Sequence, residues 1–117
     1  MKPDPADYLP LAPASLHILL SLAGEPIHGY GIMQEVLRQS GGRYNLGPGT
    51  LYDNLQRLMK QRIVEEVAGP RGEENSRRRY YRLSPLGRGV LSQEIARLED
   101  VVQEGRTRLR SLKPRRA

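Results

Sequence analysis

Apolar positions recur with a helical period in four stretches of the chain and fit strands in two. Between Ala14 and Ala23, the residues Leu16, Ile18, Leu19, Leu20 and Leu22 predict a short helix with a wide apolar face, stopped by Gly24-Glu25-Pro26. A second helix is expected from about His28 to Ser40, with Ile32, Met33, Val36 and Leu37 as its buried stripe. Gly41-Gly42 would end it, since glycine accepts the left-handed conformation of a helix terminus. The segment from Tyr44 to Thr50 is a turn that opens a third helix. Pro48 suits the first helical position, where a missing N–H is not needed. Leu51, Leu55, Leu58 and Met59 form the inward face of that helix, leaving Tyr52, Asp53, Gln56 and Lys60 outward.

After Arg62 the period changes. Ile63 to Ala68 and Arg78 to Leu83 read as two strands of a hairpin, joined by the polar, turn-forming loop Gly69 to Ser76. Ser84 is a helix cap and Pro85 a first-turn residue. The last helix, within 84–112, carries Leu91, Ile95, Leu98, Val102, Leu109 and Leu112 at alternating spacings of four and three, interrupted only by Gly105. With Glu94, Arg97, Glu99 and Arg108 around it, this seam predicts a coiled-coil-like dimerisation strip, because the helix is too long for the small body to cover. Met1 to Pro13 holds four prolines and no apolar period, so a mostly extended arm is expected.

The expected fold is therefore mainly α with a β-hairpin: a winged helix-turn-helix over 14–83, preceded by an arm at 1–13 and followed by a dimerisation helix at 84–112 and a basic tail at 113–117. In such a domain the helix after the turn enters the DNA major groove with its N-terminal half. Gly49 would let the backbone come close, Thr50 and Tyr52 would donate hydroxyl hydrogen bonds, and Gln56 would reach a base edge.

Charge sharpens this picture. The 117 residues carry nineteen basic and thirteen acidic side chains, a formal charge of +6. Six basic residues lie between Arg106 and Ala117, which contains no acid, so the other 105 residues balance to zero. The more informative cluster is internal: Arg71, Arg77, Arg78, Arg79 and Arg82, with Glu73 and Glu74 as the acids inside it. At the foot of a wing, Arg77, Arg78 and Arg79 would track the phosphate backbone. The expected partner is double-stranded DNA, bound by a homodimer.

Composition removes other classes. The chain has no cysteine, hence no disulfide or thiolate zinc site, and its two histidines lie more than ten residues apart, so no metal site is expected. Its aromatic residues are six tyrosines, so the core must be aliphatic. The longest apolar stretch, Leu16 to Ala23, falls far short of the roughly 20 residues of a membrane helix. A cytoplasmic chain with no membrane contact is expected. No nucleophile–base pair or phosphate loop is visible, so no enzyme and no cofactor is expected.

Three segments carry a resemblance: Pro26-Ile27-His28-Gly29-Tyr30-Gly31-Ile32, Leu46-Gly47-Pro48-Gly49-Thr50-Leu51-Tyr52, and Arg79-Tyr80-Tyr81-Arg82-Leu83-Ser84-Pro85-Leu86-Gly87. In combination and spacing, from about Leu16 to Leu98, the chain resembles the PadR family of transcriptional regulators. The resemblance implies a homodimeric bacterial repressor on a pseudo-palindromic operator, with Tyr30, Gly49, Thr50, Tyr52 and the wing arginines facing DNA. The single C-terminal helix resembles the family's short subgroup. Two departures stand out. Asp53 occupies an exposed recognition-face position where basic or small residues are commoner. Arg62 stands where the family usually has glycine, so that turn is expected to differ in detail. Many members of the family respond to phenolic acids or hydrophobic drugs. The lack of Trp, Phe and any Tyr beyond Tyr81 argues against a pocket that sandwiches a flat effector, and no residue pattern indicates one.

Other residues have readings on both sides. His28 opens the second helix, where it would cap and pack or reach a phosphate; His17 reads as structural. Of Tyr80 and Tyr81, alternating on a strand, Tyr81 is expected inside and Tyr80 outside. Glu65-Glu66 and Glu73-Glu74 read as solvated strand and loop positions rather than paired acids for catalysis. The alternative of another class is a winged-helix protein-interaction adaptor without sequence-specific DNA binding.

Overall fold

The computed structural model describes residues 2–70 and 78–112. After a 3-10 helix at Pro5–Tyr8 come α1 (Pro13–Ser21), β1 (Ile27–His28), α2 (Gly29–Gln39), α3 (Pro48–Lys60), β2 (Val64–Val67), β3 (Tyr80–Leu83) and α4 (Pro85–Ser111). The apolar stripes of the first three helices meet in one core, where Ile18, Leu19, Leu22, Ile32, Val36, Leu51 and Leu55 have no exposed surface. Burial of an aliphatic side chain of this kind contributes about 1.5–3 kcal/mol.

The wing is a three-stranded antiparallel sheet in the order β1-β3-β2, not the expected two-stranded hairpin. Ile27 and His28 pair with Tyr81 and Tyr80. Two residues are too few to show an alternation, and so β1 left no periodic trace. His28 consequently lies outside α2, at its N-cap, where its Nδ1 accepts from the Gly31 amide at 3.0 Å.

Tyr80 corrects a second expectation. Both tyrosines are buried, Tyr80 at 6% and Tyr81 at 2% exposure. Tyr81 faces the helical core, whereas Tyr80 is covered from the other side by the His28 ring, perpendicular to it with centroids 5.4 Å apart, and by the backbone of Gly69. The cover on this face reaches Tyr80 but not Arg82, two residues on and exposed, so alternation does not report exposure in this strand.

The arm is not simply extended. Its 3-10 helix lies against α4, with Pro5 beside Gly89, and the Leu11 amide donates to the Glu94 carboxylate at 2.8 Å. Glu94 is buried at 1% exposure and also accepts from Arg97. The start of α4 is pinned to the turn after α3. Ser84 caps it through the Gly87 amide, and its hydroxyl donates to the backbone carbonyls of Arg62 and Ile63. Beyond Leu98 every described residue of α4 is exposed. No described helix is long and apolar enough to cross a membrane.

Candidate nucleic-acid interface

The helix α3 buries Leu51, Leu55 and Leu58 and turns Tyr52, Asp53, Gln56 and Lys60 outward. Gly47 at its N-cap has no side chain to cap it, and Pro48, Gly49 and Thr50 are exposed, so its first N–H groups face outward unclaimed by any cap. An anion is stabilised at such an end by those donors and by the helix dipole.

Beside α3 lies a cleft of about 390 Å³ lined by His28, Gly29, Tyr30, Tyr52, Arg78 and Arg79. Four of the residues expected at the interface, Tyr30, Tyr52, Arg78 and Arg79, are thus brought together from three elements and their flanks. Gly49, Thr50 and Gln56 stand on the exposed surface of α3, and Arg77 lies outside the described residues. Tyr52 leans against α2 so closely that a Cβ on Gly29 would stand 2.5 Å from its hydroxyl oxygen. Beneath it, burial pushes the Tyr81 hydroxyl above its ordinary value; Tyr52 and Glu66 push the same way, and Arg79 opposes them.

The wing arginines are not equivalent. Arg82 Nε pairs with Glu65 at 3.0 Å, its register partner across β2 and β3, and Arg79 approaches Glu66 at 3.9 Å. Both pairs are solvated and contribute little to stability. Arg78 has no acidic partner among the described residues; its guanidinium Nη1 stands 3.3 Å from His28 Nε2.

The profile described as "Transcriptional regulator PadR-like family" matches residues 18–93. The chain belongs to this family. Transcriptional regulator Rv3488 of Mycobacterium tuberculosis (strain ATCC 25618 / H37Rv) is 36% identical to it over 93 residues, covering 80% of this chain and 82% of that protein. An uncharacterized 37.1 kDa protein in transposon TN4556 of Streptomyces fradiae is 39% identical over 94 residues, 78% of this chain but only 25% of that protein's length. The PadR-like transcriptional regulator BC4206 from Bacillus cereus superposes with a TM-score of 0.71 at 18% identity, over 84% of this chain and 92% of its own; that likeness is one of fold.

This PadR-like regulator also braces its third helix with residues that the sequence did not single out. Arg57 donates to the Ser15 hydroxyl at 3.0 Å and to the Asn54 side-chain oxygen, and the Asn54 amide donates to the Thr50 carbonyl at 2.8 Å. Ser15 is buried at 1% exposure, and this network ties α3 to α1. Its one sequence signal was a serine at the entrance to an apolar helix. The stripe expected for dimerisation begins later than its pattern. Leu91 is buried at 5% exposure in the core of its own domain. Ile95, Leu98 and Val102 line an open groove of about 370 Å³ with Glu99 and Gln103, and Leu109 and Leu112 are exposed further along.

Proposed function

We propose that this transcriptional regulator represses transcription by occupying a pseudo-palindromic operator in double-stranded DNA as a homodimer. Residues 14–83 read the DNA and α4 joins the two copies. The observation that carries this reading is the cleft in which α2, α3 and the foot of the wing converge, beside an uncapped α3 N-terminus. Arg77, Arg78 and Arg79 supply phosphate attraction, and Gly49 lets the backbone approach. Tyr30, Thr50 and Tyr52 fix the register with their hydroxyls, and Gln56 reaches a base edge. Ile95, Leu98, Val102, Leu109 and Leu112 join the copies, so that the two heads stand about 34–36 Å apart, one turn of DNA.

The test is replacement of Arg77, Arg78 and Arg79 by alanine, followed by fluorescence anisotropy on labelled duplex. Each phosphate contact removed lowers the slope of log K against log salt by about 0.9. The variant is expected to fold as the parent does and to lose DNA binding, with a flattened salt dependence. Unchanged affinity and slope would overturn the DNA reading and favour an adaptor.

A further inference from the structure

Two hydrogen-bond donors face each other across the cleft, with no acceptor between them among the described residues. The Gly31 amide donates to His28 Nδ1 at 3.0 Å, so that nitrogen carries no proton and the ring proton resides on Nε2. Nε2 stands 3.3 Å from Arg78 Nη1, which is itself a donor only. Neither can satisfy the other. The imidazole is held in this pose by three separate restraints: its backbone lies in β1 opposite Tyr80, its Nδ1 caps α2, and its ring packs perpendicular to the Tyr80 ring with centroids 5.4 Å apart. Arg78 brings a positive charge unmatched by any acid among the described residues. The cleft they share is open, and Tyr30 and Tyr52 line it.

We propose that His28 Nε2–H and Arg78 together form a seat for one backbone phosphate of DNA, with His28 both capping α2 and gripping the phosphate. A phosphodiester oxygen offers one acceptor to both donors and a negative charge to Arg78, and a charge-assisted pair of this kind is stronger than a neutral one. Because the seat contacts the backbone, it positions the domain without reading sequence. The inference rests on the DNA-binding reading above.

His28→Asn separates the two roles. An asparagine oxygen still caps the helix, whereas the second ring nitrogen is gone. The variant is expected to melt with the parent protein and to bind about tenfold more weakly per half-site, equally on operator and shuffled duplex. Arg78→Gln, at an exposed position, is expected to lower the salt slope by about one for each subunit bound. Since both side chains grip one phosphate, the double variant is expected to lose clearly less than the product of the single losses. Parent protein that binds DNA, with His28→Asn undiminished or with the two losses multiplying in full, would overturn the seat alone. Parent protein that binds neither duplex at low salt would overturn the DNA reading and the seat with it.

Discussion

Arg62 holds a backbone conformation that suits glycine. Its φ is 63°, its amide donates to the Met59 carbonyl at 3.0 Å, and the next amide, Ile63, donates back to Leu58 at 2.9 Å. This is the paired closure of a helix end in which the residue after the cap turns left-handed. The end of α2 is closed the same way, with Gly41 at φ 63° and the Gly42 amide on Leu37 at 2.8 Å. The arginine thus leaves the turn intact and carries the strain, about 1–2 kcal/mol for a side chain in that region. Arg62→Gly relieves it against a larger unfolded-state entropy and is expected to raise stability by roughly 0.5–1 kcal/mol. The Ser84 hydroxyl bonds to the carbonyl of Arg62, so the substitution keeps that contact. Urea denaturation checks this; a lower midpoint would show that the arginine side chain has a role of its own. At this scale the sequence was legible where a residue type announces its geometry, as Gly41-Gly42 and Ser84-Pro85 do. It misplaced Tyr80, expected outside, whose burial depends on Gly69 and His28 lying against it.

Among the elements, α4 is the one whose two ends live differently. Its first turn is fixed to the body: a Cβ on Gly87 would stand 2.1 Å from the Ile63 carbonyl oxygen, so the helix abuts the backbone there. One turn beyond Leu91, the Glu94 carboxylate clasps the arm. The hydrogen bond from Arg97 holds its carboxyl below the ordinary value of 4.5, helped by the Leu11 amide and opposed by burial. A depressed folded-state pKa gives a contribution that is present above the unfolded value and lost as pH falls through the folded one. Stability is therefore expected to fall as the pH drops below about 4.5, and Glu94→Gln to weaken that dependence. Denaturation midpoints measured between about pH 6 and 3 decide it, and equal acid sensitivity in both proteins would contradict the role given to Glu94. The heptad pattern revealed this helix but placed Glu94 beside an open seam. Its burial follows from the arm, whose prolines and lack of period concealed the packing. Likewise the arginine cluster was legible, while its partial neutralisation by Glu65 and Glu66 required the strand register.

The whole molecule is extended for its length. Its radius of gyration is 17.5 Å, against about 13 Å for a compact chain of this size. The outer half of α4, about 20 Å of helix, accounts for this shape. Val101, Val102, Leu109 and Leu112 are each at least 50% exposed on it. An apolar stripe left bare on a projecting helix marks an interaction surface, and the proposed occupant is a second copy of the chain. Leu98→Asp is expected to give folded monomers by light scattering, with operator affinity reduced about a hundredfold or more as the avidity of two half-sites is lost. An intact dimer would remove α4 from the interface. The charge follows the same division. The body is neutral overall, with the arginines proposed to face DNA gathered at the wing in the sequence, and the net positive charge lies in the last twelve residues.

Sequence-specific binding to DNA is open to a simple test by anisotropy titration. The duplex is the DNA immediately upstream of the protein's own gene, set against a shuffled duplex of equal composition, from about 50 to 200 mM salt. Tight binding to the natural sequence alone, with a steep salt slope, is the expected result. The absence of binding to either duplex at the lowest salt would contradict the account.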